Sequence, residues 1–194
     1  MDALTRRNAP WTASLALDLL PDTNGPRIEV LRGAVVVSPD GDYRQRAVQR
    51  ELTHRVAQAA RRCGLWAYRS VNIVAGHDLF IPHLAVLRRP GRGELAVPVT
   101  EAVLLAEITS PRMTVEPFDR VAEYRASAVP FHLHVDLRDG GVDVVLSKLS
   151  DGAYEPTVSA AAGTTFVMRE PFALSFDPAD LLDDEDAQDP DTEG

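Results

Sequence analysis

An α/β domain is what this sequence predicts, and three observations carry the expectation. The stretch Val103 to Pro111, Val-Leu-Leu-Ala-Glu-Ile-Thr-Ser-Pro, reads as a strand that is apolar on both faces, as a strand covered on both sides must be. Asp42 to Cys63 and Glu116 to Ala128 carry apolar residues at helical spacing. After Pro130 the chain becomes a succession of short alternating segments separated by Gly- and Asp-rich turns. A length of 194 residues suits one domain with a sizeable core. Residues 1–182 are read as that domain and 183–194 as a disordered acidic tail.

Taken in order, Ala13 to Leu20 is a short Leu-rich helix after a Thr12 cap, ended by Pro21 and a turn-rich Asp-Thr-Asn-Gly-Pro. Ile28–Leu31 and Ala34–Val37 are strands joined by Arg32-Gly33, the spacing of a tight hairpin. Ser38-Pro39-Asp40-Gly41 is a loop. The long helix follows, with Val48, Leu52, Val56, Ala59 and Ala60 as its apolar stripe and Gly64 past its end. Leu65–Val74 and Leu79–Arg88 read as strands around a turn at Ala75-Gly76-His77-Asp78. Pro82 inside the second implies an edge or a bulge. Pro90–Pro98 is a Gly/Pro/Arg-rich loop. Beyond the second helix, Phe131–Leu137 and Val142–Leu149 form a hairpin about Asp139-Gly140-Gly141. Tyr154–Ser159 and Thr164–Met168 form a second, smaller pair. Phe172–Phe176 is a last strand and Pro178–Leu182 a helical turn.

Composition narrows the class. No apolar run approaches the roughly 18 residues of a membrane-spanning helix. The first residues, Met-Asp-Ala-Leu-Thr-Arg-Arg, lack the apolar stretch of a secretory signal, and the single Cys63 cannot form an internal disulfide. A cytoplasmic protein without membrane contact is expected. The formal charge of -9 is largely a tail property: seven of the 29 acidic residues lie in 183–194, leaving 22 against 20 basic ones. Total charge therefore does not announce nucleic-acid binding. Of the basic residues only Lys148 is a lysine.

Glu107 is the residue whose position asks for a reason. Burying a carboxylate in an apolar strand is costly unless it is paired, protonated or metal-bound. It is either a strand-end Glu hydrogen-bonded to a loop or an Arg, or a functional ligand. His83 sits on an otherwise apolar strand face and reads as a ligand beside Glu107 or as a neutral buried imidazole. The long helix carries Arg44, Arg46, Arg50, Arg55, Arg61 and Arg62 against one acid, Glu51. Its basic face is either solvated or turned toward a phosphate backbone. His132 and His134, two residues apart, are exposed hairpin histidines or a metal pair. His54 and His77 have no partner in sequence, and Cys63 reads as a small packed residue.

The order of these pieces resembles the Uma-type restriction endonuclease family, a bacterial group long catalogued as a domain of unknown function within the PD-(D/E)XK nuclease superfamily. The resembling segments run from about Leu15 to Leu182: Glu29-Val-Leu-Arg-Gly33 with Ser38-Pro39; Pro82-His83 before Leu84–Leu87; Glu107-Ile-Thr-Ser110-Pro111; Tyr124-Arg-Ala-Ser-Ala128-Val129-Pro130; and His132-Leu-His-Val-Asp136. The resemblance implies a restriction-endonuclease-like central mixed β-sheet flanked by the two main helices, with additional C-terminal β-hairpins. It also implies a homodimer and metal-dependent hydrolysis of DNA phosphodiesters with Mg or Mn. At the motif positions, the family's metal-binding Asp is His83, its Lys falls on Arg120, its further acid near Glu116 or Asp119, and Glu107 is retained.

Those departures matter chemically. Magnesium takes hard oxygen ligands, and imidazole suits softer ions better. A His83/Glu107 pair could hold a metal if completed by Glu29, Asp78 or Glu116. Arg120 could neutralise charge at the phosphate but not move protons, because guanidinium stays protonated. Two readings follow. One is a metal-dependent endonuclease, weakened or inactive, with Glu107, His83 and Arg120 as site residues. The other is a non-catalytic nuclease-fold protein acting as a binding or interaction module.

Overall fold

The computed structural model of the chain describes residues 9–19, 26–38, 41–111, 118–138 and 141–182. The expected turn after Pro21, the Pro39-Asp40 loop, the start of the second main helix with Glu116, the Asp139-Gly140 turn and the tail 183–194 lie outside the described residues.

The chain begins with α1 (Ala13–Leu19), whose Leu15 N–H donates to the Thr12 hydroxyl at 3.3 Å. Then β1 (Arg27–Leu31) and β2 (Ala34–Ser38) form the expected hairpin. Its two turn residues, Arg32 and Gly33, both have positive φ, 51° and 81°, the backbone whose twist matches flanking strands. Next, α2 (Tyr43–Arg61) is capped by Asp42, whose carboxylate accepts from the Gln45 N–H at 2.8 Å. This satisfies one of the orphan donors of the first turn.

Two strands read as continuous in the sequence are each broken. Leu65–Val74 divides into β3 (Trp66–Arg69) and β4 (Ile73–Ala75), with Ser70 between them at φ +50°. Leu79–Arg88 divides into β5 (Asp78–Phe80) and β6 (Leu84–Leu87). Pro82 has no N–H to offer a ladder, and the Ile81 N–H donates instead to the Glu29 carboxylate at 2.7 Å. At both breaks the chain leaves one sheet for another. It continues through β7 (Val97–Pro98), β8 (Ala102–Thr109), α3 (Arg120–Ala126), β9 (Phe131–Arg138), β10 (Gly141–Ser150), β11 (Ala153–Ala161), β12 (Phe166–Met168) and β13 (Leu174–Phe176). A 3-10 turn, Pro178–Leu181, closes the described part, and another, Val99–Glu101, precedes β8.

The main sheet has the order β11-β10-β9-β8-β6-β3 and is mixed: β8 and β9 run parallel, their neighbours antiparallel. A parallel pair needs a crossover, and α3 lies in it. The second sheet, β2-β1-β5-β4-β7, carries β4 and β7 as its parallel pair. At the C-terminal end, the strand containing Tyr154–Ser159 pairs with β10 rather than with Thr164–Met168. β12 pairs with β13 instead. Pro156 explains why β11 can end the main sheet: a residue without N–H is tolerated on an edge.

Both faces of the main sheet are covered, as the apolar β8 requires. On one face Val48, Leu52, Val56 and Ala60 of α2 pack against Leu84, Val86, Leu104 and Ala106, and Phe166, Met168, Phe172 and Phe176 extend that core. On the other, Leu31, Ile73 and Phe80 of the second sheet and Tyr124 of α3 meet Ala85, Leu87 and Leu105. Each fully buried aliphatic side chain stabilises by about 1.5–3 kcal/mol relative to exposure. Among the described residues, no helix is long and apolar enough to cross a membrane.

Candidate functional site

Alternation along β8 places Glu107 on the face of Leu105 and Tyr124, opposite α2. Its carboxylate is nonetheless buried, with 7% exposure. His83 reaches it from the break between β5 and β6, on the neighbouring strand of the main sheet. His83 Nδ1 lies 2.5 Å from Glu107 Oε2. The Tyr124 hydroxyl donates to Oε1, and a guanidinium nitrogen of Arg27 stands 3.7 Å from Oε2. Burial by itself would push the Glu107 carboxyl up. His83, Arg27 and the Tyr124 hydroxyl outweigh it and hold the pKa well below the usual carboxylate range. The same burial, with Glu107 alongside, pushes the Tyr124 phenol up, so it stays a neutral donor.

Both ring nitrogens of His83 have neighbours. Gln45 Nε2 lies 2.7 Å from the Ile108 carbonyl and 3.0 Å from His83 Nε2. A carbonyl only accepts, so the Gln45 atom facing it is the amide nitrogen. On the other side of the ring, Nδ1 faces Glu107, with the Ile108 N–H at 3.3 Å and an Arg27 guanidinium nitrogen at 3.4 Å from it. Both His83 nitrogens are thus engaged.

Arg120 is in a separate buried pair. Its guanidinium donates to Glu29 Oε2 through Nε at 3.1 Å and through Nη2, and Nη2 also donates to Ser38 Oγ at 2.8 Å. Glu29 is fully buried and Arg120 is 5% exposed. Burial opposes the charge on Arg120, but Glu29 more than offsets it and raises the pKa. Of the expected catalytic set, His83 and Glu107 are in contact, while Arg120 pairs with Glu29 and feels Glu107 through charge alone.

The remaining candidates lie elsewhere. Asp78 accepts from the Arg32 N–H at 2.8 Å in an exposed turn, and Asp119 caps α3 through the Ala122 N–H at 3.0 Å. Glu116 is outside the described residues. Lys148 is on the surface against Glu170 at 2.7 Å. Cys63, read as packed, is exposed. His54 bonds Gln58 one turn away. The reading of His132 and His134 as exposed needs correction. His132 is 6% exposed, because β9 is an interior strand with Tyr124 and Tyr154 over this face. His134 bonds the Thr109 hydroxyl at 2.9 Å.

Buried His132 has an Nε2 without a hydrogen-bond partner among the described residues, and burial pulls its pKa down from 6.5 to about 4. The unfolded chain takes up this proton near 6.5 and the folded one only near 4, so stability is complete above 6.5 and lost as pH falls toward 4. We expect His132→Phe to flatten that slope. Between pH 7 and pH 4.5 the variant should lose about 2–3 kcal/mol less than the wild type in urea unfolding. Equal losses in both proteins would show that His132 is not the titrating group.

Whether these residues suit a divalent ion depends on the donors. Magnesium asks for one or two carboxylates with free lone pairs. Here both Glu107 oxygens accept hydrogen bonds, both His83 nitrogens are engaged, and Arg27 already supplies positive charge. Glu29 is taken by Arg120 and the Ile81 N–H. Among the described residues no cluster of three or more His, Cys, Asp or Glu is placed to share an ion. The arrangement does not fit magnesium.

Sequence reasoning missed Arg27, Gln45 and the role of Tyr124. Gln45 was legible: it lies on the α2 stripe with Val48 and Leu52, a polar residue among apolar ones. Nothing around Arg27, between a turn and a strand, marked it.

A sequence model of the family described as "Uma2: Putative restriction endonuclease" matches residues 13–181. Among solved structures, the chain is similar to a protein described as a "putative nuclease belonging to DUF820" from Anabaena variabilis ATCC 29413. The two are 17% identical with a TM-score of 0.62, over 90% of this chain and 98% of that one. No curated protein matches.

Proposed function

Because the family match spans residues 13–181, the chain belongs to the Uma2 restriction endonuclease family, and from that premise we propose that it is a nuclease-fold binding module that no longer hydrolyses phosphodiesters through a metal. The observation that supports this is the saturation of Glu107, whose oxygens are held by Tyr124 and His83 with Arg27 at 3.7 Å. Where a metal site would present two anionic carboxylates, this chain presents one carboxylate and an imidazole, with a guanidinium beside them. DNA, through its phosphates, is the partner this reading assigns.

The loss is large in rate terms. Each electrostatic contributor to such a site is worth about 3 kcal/mol, roughly 100-fold. His83 in place of an Asp and Arg120 in place of a Lys remove two of them. The second reading, a metal-dependent endonuclease with His83 and Glu107 as ligands for Mg or Mn and Arg120 at the phosphate, is favoured by the 2.5 Å approach of those two side chains.

Plasmid nicking in magnesium and in manganese, beside a Glu107→Ala control and with calorimetric titration of each ion, separates the two. The expected result is intact plasmid and no heat of metal binding. Nicking that disappears in Glu107→Ala would overturn the proposal in favour of the endonuclease.

A further inference from the structure

The last turns of α2 and the edge strand β3 enclose an open groove of about 740 Å³, lined by His54, Gln58, Arg61, Arg62, Leu65 and Trp66 among others. No acidic residue lines it. Arg61 and Arg62 are both exposed, and neither makes an ion pair with a described residue. Cations suit the negative end of a helix, which accounts for their place on α2. It supplies no carboxylate to meet their outward charge.

The acids that match them lie close in the chain. The 3-10 turn Pro178–Leu181 sits against α2: Asp180 pairs with Arg55 at 3.3 Å, and Leu181 is buried in the core that α2 covers. Leu182 is the last described residue. Residues 183–194 follow with seven carboxylates and no basic residue, and the run Asp183-Asp184-Glu185-Asp186 comes first. Arg62 stands two helical turns beyond Arg55 on nearly the same face, about 10 Å along the axis at 1.5 Å per residue. An extended chain covers about 3.3 Å per residue, so the acidic run reaches both arginines from the Asp180 anchor.

We propose that the acidic segment beginning at Asp183 folds back onto the basic end of α2 in the same chain, with its carboxylates on Arg61 and Arg62 at the rim of the groove. Exposed ion pairs are individually weak and screened by salt. The tether offsets that weakness, because a short linker holds its end at an effective concentration of roughly millimolar. At micromolar protein it therefore favours the same chain over a second copy. Asp is disfavoured in strands and Pro190 has no N–H to donate, so the contact is one of charge and not a strand added to β3. The inference holds whether the chain hydrolyses a partner or only binds one.

Cys63 is the one cysteine, is exposed, and directly follows Arg62. A nitroxide attached to it in the full chain reports on the groove through paramagnetic broadening of the amide NMR signals of 183–194. Arg61→Gln with Arg62→Gln is compared with Arg69→Gln and Arg92→Gln, an equal charge change at exposed positions outside the groove. Far-UV circular dichroism verifies the folds. A mixture of labelled chain with unlabelled, isotope-enriched chain isolates contacts between copies.

The broadening is expected to be strongest at Asp183–Asp186 in low salt and to fade toward about 1 M salt, where the Debye length is about 3 Å. Loss of the two groove arginines should lower the bound population about fivefold, and loss of the control pair less than about twofold. Equal effects of the two double variants, broadening that ignores salt, or no broadening at all would overturn the proposal. Broadening as strong between copies as within one would overturn it too, by making the tail of a second chain the occupant.

Discussion

Replacing Arg120 by alanine is expected to destabilise the fold by about 3–5 kcal/mol, the range for breaking a buried ion pair from one side. Glu29 is fully buried and Arg120 nearly so. Without the guanidinium, the carboxylate keeps only the Ile81 N–H at 2.7 Å among the bonds described above. An unneutralised buried charge costs far more than the intact pair contributes. The partner experiment sharpens the point. Combining Arg120→Ala with Glu29→Gln removes both charges, and the double variant is expected to recover most of the loss. Urea unfolding of the wild type, the two single variants and the double variant gives the coupling directly. If Arg120 instead served a bound phosphate, its alanine variant would keep the wild-type midpoint and lose only affinity. That outcome would refute the structural role assigned here.

The second large effect is expected from His83→Asp. It replaces an imidazole, bonded to Glu107 at 2.5 Å, with a second carboxylate in a buried place. Two like charges there repel, and one carboxyl should be driven toward its protonated form. In EDTA the variant should therefore unfold at lower urea concentration than the wild type. A divalent ion reverses the sign. An ion that binds only the folded state at a hundred times its Kd stabilises by about 2.7 kcal/mol. We expect manganese or magnesium to raise the melting temperature of His83→Asp and to leave that of the wild type unmoved. Adding Arg27→Gln removes the competing guanidinium and should strengthen the response. A wild type that responds as strongly as the variant would show that His83 already serves as a ligand. A variant that ignores both ions would show that more than one residue separates this pocket from a metal centre.

Much of the architecture was legible in the residues because it rests on local rules. The two-faced apolarity of Val103–Pro111 requires a covered strand, and β8 is one. The stripe from Val48 to Ala60 and the glycine at position 64 define α2 closely. The Arg32-Gly33 hairpin follows from turn chemistry. What was not legible depends on tertiary choice. Leu65–Val74 and Leu79–Arg88 are β-prone throughout, and no local preference says that each must change sheets midway. Only the Glu29 carboxylate, fifty-two residues upstream, claims the Ile81 N–H. The pairing of β11 with β10 likewise depends on which edge is open, which short-range alternation does not encode.

The site divides along the same line. Its principal acid could be found because a carboxylate in an apolar strand is an anomaly, and its imidazole because it stands on an otherwise apolar strand face. The neutralising partners could not. Arg27 and Tyr124 reach Glu107 from segments eighty residues upstream and seventeen residues downstream of it, and Arg120 finds Glu29 across ninety-one. Long side chains choose partners by three-dimensional proximity, and an arginine in sequence does not say which acid it will meet. His132 was misjudged for a related reason: a histidine near a hairpin turn is exposed only if nothing covers that strand.

The two mid-strand breaks also have a mechanical consequence. Ser70 and His83 mark the places where the backbone threads from one layer to the other and back, so the layers are stitched together beside the cleft that both residues line. Neither layer can slide without dragging a wall of the cleft with it. A molecule gripping that opening would pull on both layers at once, and its hold would register as slowed amide exchange far out along the strands of each.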